Sequence, residues 1–123
     1  MNLQLRFFKG EFSVCRLRDL LKLDLSQDLF FLSKTPDELS LVCSSECVPD
    51  NAIKVESGWS MFRIEGQLDF GLIGILSKIT TLLAENDISV FAVSTFDTDY
   101  IMIKTSCLSA ARALFEAEGY GIL

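Results

Sequence analysis

One short polar segment of the sequence combines two carboxylates with several hydroxyl groups. Asp97 and Asp99 flank a threonine directly after an apolar run that ends at residue 95. Such groups can hold a ligand ammonium or guanidinium through charge-assisted hydrogen bonds. The alternative is a solvated hairpin turn, because Asp and Thr are normal turn residues. The candidate binding residues here are Ser94, Thr95, Asp97, Thr98 and Asp99.

The two carboxylates, and the two hydroxyls before them, are not expected to act equally. Neighbouring residues of a strand face opposite sides, so one of Ser94 and Thr95 at most should contact a ligand. Across a turn that follows a buried strand, only one of Asp97 and Asp99 is expected to point into the groove beside the segment 66–74, and we expect Asp99 to be that one.

A second candidate segment, 66–74, carries three glycines immediately before a predicted helix. Glycine lets the backbone approach a ligand closely, and N–H groups at a helix start attract an anion such as a carboxylate. An ordinary turn with tight helix–sheet packing at Gly74 explains the glycines equally well. The candidate residues are Gly66, Leu68, Asp69, Phe70, Gly71 and Gly74.

The residue types argue against catalysis and against a metal site. The chain contains no histidine, which removes the commonest general base and the pairs it forms with Ser or Cys nucleophiles. Four cysteines are present, but Cys43 and Cys47 lack the paired short-loop spacing of a zinc site. We predict free thiols, no metal and no cofactor.

Composition and charge limit the partners and the location. The net charge of −6 disfavours nucleic acid and anionic lipid surfaces as partners. No apolar run reaches the roughly 18 to 20 residues that a membrane-spanning helix needs. The first residues alternate apolar and polar side chains, unlike a secretory signal. We therefore expect a cytoplasmic protein with no membrane or nucleic-acid partner.

The second half of the sequence predicts a regular order of strands and helices. Apolar residues recur every three or four positions over 71–86, which indicates an amphipathic helix. The run 88–95 is nearly continuous in apolar and β-branched residues, which predicts a strand in the sheet centre or one buried on both faces. A last helix should begin after Ser106. The predicted order over 59–123 is β-α-β-β-α with a short final strand.

The first half predicts a similar order of shorter elements. Strands are expected at 3–8, 12–17, 29–33, 39–43 and 53–56. They echo the element order of the second half without a matching residue pattern. The sequence therefore predicts two tandem units, a degenerate one at 1–58 and a second at 59–123.

Several segments resemble a known family. The stretches are GQLDFGLIGIL at 66–76, LAENDISVF at 83–91 and AVSTFDTDYI at 92–101, with GEFSVCRL at 10–17. They resemble the ACT domain family, and more closely small bacterial ACT-like proteins related to arginine-sensing CASTOR proteins and to aspartate kinase regulatory domains. One departure is that Gly71 stands where many ACT domains have Asp or Asn, with the carboxylate at Asp69 instead.

The resemblance implies a fold and a function. The implied fold is α+β, a ferredoxin-like βαββαβ arrangement with helices on one face of an antiparallel sheet. The implied function is a non-catalytic regulatory domain that binds an amino acid at an ACT–ACT interface, in a homodimer. Two alternatives stay open, an interaction module that pairs through its sheet edges and, less favoured, an enzyme that uses carboxylates.

Overall fold

The computed structural model describes residues 3–65 and 74–123. These ranges contain eight strands and two α-helices. The strands are β1 (Gln4–Phe7), β2 (Phe12–Leu17), β3 (Phe30–Lys34), β4 (Leu39–Ser44), β5 (Lys54–Glu65), β6 (Val90–Ser94), β7 (Asp99–Lys104) and β8 (Gly121–Ile122). The helices are α1 (Ile75–Glu85) and α2 (Leu108–Ala117), and short 3₁₀ turns lie at Ser45–Cys47 and Thr105–Cys107.

The chain forms two compact units, and one of them is discontinuous in sequence. The inserted unit is Gly10–Trp59, and the split unit is Met1–Lys9 together with Ser60–Leu123. Compared with the predicted ranges 1–58 and 59–123, the first nine residues lie with the second half and the later boundary falls one residue further on, after Trp59. The reason is β1, which pairs antiparallel with β5 and parallel with β8.

The split unit is an α+β sandwich with one helix layer. Its strands follow the order β6-β7-β5-β1-β8, so β1 lies between β5 and the final strand. Both helices pack on the same side of this sheet, where alternate residues of the strands join one buried core. The core consists of Leu5, Phe62, Ile64, Ile101 and Ile103 from strands and Ile75, Ile79, Leu83, Ile88, Ala111 and Phe115 from the helices and the turn after α1.

The helices follow the predicted apolar spacing. In α1, Ile75, Ile79 and Leu83 recur every four residues and are buried, which places one stripe of the helix on the sheet. Gly74 precedes α1 with a φ of 83°, and the helix ends one residue before Asn86. The predicted start at 71 lies outside the described residues. Neither helix of the described ranges is long and apolar enough to span a bilayer.

The strand at 88–95 was predicted in the wrong place in the sheet. Within the described residues, β6 pairs with β7 alone, and its residues are alternately exposed and half-buried. It is an edge strand, not a central or doubly buried one. The apolar run indicated a central strand because edge strands normally carry charged or polar side chains.

The inserted unit is a sheet without helices. Its strands follow the order β3-β4-β2 and continue to the first half of β5. Connecting segments cover one sheet face, with Leu23 and Val48 packing on a core of buried strand residues. That core consists of Cys15, Leu17, Leu41 and Cys43. The inserted unit thus resembles the split unit in its strands. Its strands are joined by loops and a short 3₁₀ turn, whereas two connections of the split unit contain α-helices.

The two units share a residue pattern, which corrects the prediction that only their element order matches. The β2 sequence Phe-Ser-Val-Cys-Arg-Leu corresponds to Trp-Ser-Met-Phe-Arg-Ile in β5. Ser13 of β2 hydrogen-bonds Ser45 at 2.7 Å, and Ser60 of β5 hydrogen-bonds Thr105 at 2.9 Å. In each unit a strand serine therefore contacts the first residue of a 3₁₀ turn.

The hairpin turns of the two units also correspond. In the turn from Thr35 to Glu38, the threonine N–H donates to the last carbonyl at 3.0 Å, and from Thr95 to Thr98 the same bond measures 2.9 Å. Both threonine hydroxyls also contact that carbonyl. The repeat was hard to see in the sequence because the connections between the matching strands differ in length.

Candidate functional site

The hairpin between β6 and β7 contains the five candidate residues of the polar segment at 94–99. The Thr95 hydroxyl donates to the Thr98 carbonyl at 3.1 Å and accepts from the Thr98 N–H at 3.4 Å. The turn is therefore closed by its own residues. The Thr95 hydroxyl is thus engaged inside the turn.

Ser94 and Asp99 form the last residue pair of the β6–β7 ladder. The Ser94 hydroxyl donates to Oδ1 of Asp99 at 2.5 Å. Asp99 alternates with Ile101, a buried core residue on the helix side of the sheet, so its side chain belongs to that same face. Asp97 is exposed, whereas Asp99 is half-buried. The two carboxylates thus have different surroundings.

Thr98 holds this hairpin against the end of β5. Its hydroxyl donates to the Ile64 carbonyl at 2.8 Å, one residue before β5 ends at Glu65. The glycine-bearing segment starts at the next residue. The candidate hairpin therefore contacts the last residues of β5 at one end of the split unit.

The glycine segment is described only at its last residue. Gly66, Leu68, Asp69, Phe70 and Gly71 lie outside the described residues. At Gly74 the φ is 83°, and a Cβ there would meet nothing within 4 Å. A left-handed backbone, rather than close helix–sheet packing, is therefore the reason for glycine at this position.

A charged cluster that the sequence interpretation missed lies on the opposite sheet face. The Glu65 carboxylate accepts from Arg63 Nε at 2.8 Å and pairs with Arg6 Nε at 3.2 Å. Arg63 also donates to the Tyr100 hydroxyl at 3.3 Å, and its guanidinium lies 5.7 Å from the centre of the Phe8 ring. The hydrogen bonds from Arg63 are the main reason that the pKa of Glu65 is lowered.

This cluster lies on the face of the sheet opposite to the one that carries Asp99. Arg63 alternates with the core residues Phe62 and Ile64, so it faces away from the helices. Tyr100 likewise alternates with Asp99 and faces the same side as Arg63. The signal in the sequence was the spacing of Arg6, Arg63 and Glu65, which strand alternation places on one face.

The cysteines and acidic residues offer no metal centre. In the part of the chain that the structure describes, no group of three or more His, Cys, Asp or Glu residues could hold a metal ion. All four cysteines are unpaired, with Cys15 and Cys43 buried. Burial raises the pKa of the Cys43 thiol to about 12 and also raises that of Cys15.

The family of the chain follows from a match over the split unit. A family model described as the ACT domain matches residues 54–116, from the start of β5 almost to the end of α2. This range covers half of the chain and includes the hairpin and the β5–α1 connection. The chain belongs to the ACT domain family. ACT domains are regulatory modules, so this protein contains a regulatory ACT-type domain.

Solved structures agree with the ACT fold over nearly the whole chain. A protein from Agobacterium tumefaciens is 28% identical with a TM-score of 0.89, and the match covers 100% of this chain and 93% of that one. The aspartate kinase of Clostridium acetobutylicum is 12% identical with a TM-score of 0.65, covering 95% of this chain and 34% of that one. A comparison with curated proteins gave no match.

A third structure resembles the chain in length as well as in fold. The regulatory subunit of aspartate kinase from Thermus thermophilus is 8% identical with a TM-score of 0.62, and the match covers 92% of this chain and 95% of that one. At this identity the likeness is one of fold alone.

Proposed function

We propose that this ACT domain is a non-catalytic sensor of an amino acid. The observation that carries the proposal is the Ser94–Asp99 hydrogen bond in a hairpin that Thr98 ties to the end of β5. This bond presents a carboxylate on the helix side of the sheet, in a hairpin that contacts the end of β5.

The chemistry of the two segments suits the two ends of an amino acid. A carboxylate with one oxygen already oriented by a hydroxyl can accept a charge-assisted hydrogen bond from a ligand ammonium. The ligand carboxylate would be received by backbone N–H groups of the segment 66–74 at the start of α1, where the helix dipole favours an anion. Gly74 supports this role by its left-handed backbone.

The similar structures support a regulatory role rather than an enzymatic one. One of them is a regulatory subunit, and another is described as an allosteric enzyme. The chain, by contrast, has no histidine. We extend the proposal to a cytoplasmic location, since unpaired thiols are typical of a reducing compartment.

We also propose that the protein is a homodimer in which β6 pairs with a second copy. The edge strand β6 has the sequence Val-Phe-Ala-Val-Ser, without a charge or a proline that would block pairing. Val90 on this edge is 37% exposed. A dimer through this edge would create the ACT–ACT interface at which an amino acid is expected. Light scattering that finds only monomer, with and without ligand, would contradict it.

Thermal melts with a panel of the common amino acids test the sensing function. A ligand that binds only the folded state must raise the melting temperature, and at 100 times its Kd it adds about 2.7 kcal/mol of stability. We expect one amino acid, or a group of similar ones, to raise the midpoint. No shift with any member of the panel would contradict the proposal.

The second candidate function is an interaction module that acts without a ligand. The apolar edge of β6 favours it, because an edge of this composition is suited to pairing whether or not a ligand is bound. A stable dimer in light scattering, combined with no response to any amino acid in the melts, would favour this function over sensing.

A further inference from the structure

A cleft of about 330 Å³ lies on the helix side of the split unit. Its walls come from the outward stripe of α1 and from the segment that follows α2. The lining residues are Ser77, Lys78, Thr81, Leu82, Glu85, Glu118 and Tyr120. None of them is a candidate residue of the proposed amino-acid site. The volume is within the range of small-molecule sites.

The floor of the cleft is apolar and anchored to the core. Leu82 and Tyr120 are half-buried and pack against the buried cluster beneath the helices. The Tyr120 ring meets the buried Phe115 ring edge-on, with centroids 5.6 Å apart. Both side chains therefore offer fixed apolar surface to a ligand.

Two carboxylates of the cleft occupy unfavourable helix positions. Glu85 is the last residue of α1, and Glu118 is the C-cap of α2. The C-terminal end of a helix is the negative end of its dipole, so it favours cations and disfavours carboxylates. Neither helix has a basic residue in its last turn.

No ion pair offsets these charges within the described residues. Among the described residues, neither Glu85 nor Glu118 takes part in the salt bridges found, which join Arg6 and Arg63 to Glu65. The cleft lining carries one ammonium, at Lys78, against the two carboxylates. The lining therefore has an excess negative charge, to which the dipoles of both helices add.

We propose that this cleft binds a small organic cation, a primary amine on a short apolar stem. The ammonium would be held by the carboxylates of Glu85 and Glu118, and the stem would lie on Leu82 and Tyr120. The hydroxyls of Ser77 and Thr81 supply further acceptors for ammonium hydrogens. The proposal does not depend on the amino-acid site at the β6–β7 hairpin.

Calorimetric titration of the full chain with 1,4-diaminobutane and n-butylamine tests the proposal, with sodium butyrate as the anionic probe of matched length. We expect both amines to bind and butyrate not to bind. The carboxylates of Glu85 and Glu118 are exposed at the cleft, so Glu118→Gln and Glu85→Gln should each weaken amine binding about three- to fivefold, the upper range for a solvent-screened ion pair. Thermal melts establish that each variant is folded.

Two further variants distinguish the cleft from general charge effects. Glu116→Gln removes an equally exposed carboxylate from the same end of α2 that does not line the cleft, and it should leave amine affinity within about twofold, since without a direct contact it acts on the ligand only through screened charge. Lys78→Met should tighten amine binding because it removes a like charge.

Three results would overturn the proposal. The first is no heat of binding with either amine. The second is an equal loss of affinity in Glu116→Gln and Glu118→Gln, which would indicate general charge attraction. The third is weaker amine binding in Lys78→Met, which would mean that the ammonium group is not held in the charge field of this cleft.

Discussion

The Ser94 hydroxyl donates to Oδ1 of Asp99 at 2.5 Å, across the residue pair that closes the β6–β7 ladder. The bond orients one carboxylate of the hairpin before any ligand arrives. Asp97, two residues earlier, is exposed at the turn. The proposed function therefore assigns the ligand ammonium to Asp99 rather than to Asp97.

The first prediction is that Asp99→Asn and Asp97→Asn differ in their effect on binding. Loss of a charge-assisted contact at Asp99 should weaken binding of the amino acid found in the melts about ten- to a hundred-fold. Asp97→Asn should change the affinity by less than about threefold, because a solvated carboxylate contributes little. Titration calorimetry measures both, after circular dichroism has verified folding. If both variants bind as tightly as the parent, the carboxylates belong to a plain turn.

The second prediction concerns the contribution of β1 to the split unit. Leu5 is fully buried in the core beneath the helices, so Leu5→Ala should lower the free energy of unfolding by about 2 to 5 kcal/mol. Leu21→Ala is the matched control, because that side chain is 86% exposed and should stay within about 0.5 kcal/mol of the parent. Urea denaturation measures both. Equal effects of the two substitutions would show that β1 is dispensable for the unit.

The third prediction is a pH-dependent contribution from Glu65. Arg63 and Arg6 lower the pKa of Glu65 below its ordinary value of 4.5. A lowered folded-state pKa means that the stabilisation is complete above the unfolded-state value and is lost as pH falls through the folded-state value. Glu65→Gln should therefore lower the free energy of unfolding by about 1 kcal/mol at pH 7. The difference from the parent should become progressively smaller as the pH falls below 4.5.

Urea denaturation of the parent and of Glu65→Gln across this pH range checks the third prediction. Glu116→Gln is the control, since it removes an exposed carboxylate elsewhere in the same unit. The expected loss of stability in Glu65→Gln has a second source. Arg6 and Arg63 lie directly opposite each other on paired strands, and without the carboxylate between them their charges repel. A constant difference between parent and variant at all pH values would refute the assignment.

The fourth prediction is that the cysteines fall into two reactivity classes. The thiolate is the reactive form, and burial raises the pKa of Cys15 and of Cys43, the latter to about 12. Cys47 and Cys107 are partly exposed. At pH 8 we expect a disulfide reagent such as Ellman's reagent to modify the latter two quickly and the buried pair only on unfolding.

Two further measurements check the thiols. Cys47→Ser and Cys107→Ser should each remove part of the fast reaction, and dithiothreitol should leave the melting temperature unchanged because all four cysteines are unpaired. Four equally fast thiols, or a melting temperature that falls with dithiothreitol, would contradict this description.

The sequence by itself determined the α+β class, the family resemblance and most of the second-half elements. These depend on local patterns, namely the four-residue spacing of Ile75, Ile79 and Leu83 in α1 and the turn residues between β6 and β7. The period of the apolar residues indicates the type of an element and which of its faces is apolar. Both can be predicted without knowing which elements pack against it.

Only the tertiary structure decided which strands are neighbours. β1 pairs with β5 although the fifty residues of the inserted unit separate β1 from the paired part of β5 in sequence. β6 lies at a sheet edge although its apolar run indicated a central position. Likewise, the cleft that joins Glu85 to Glu118 depends on how α1 and the end of α2 pack together. Pairing and packing between segments distant in sequence leave no local pattern, because the free energy that selects them comes from contacts formed only in the folded chain.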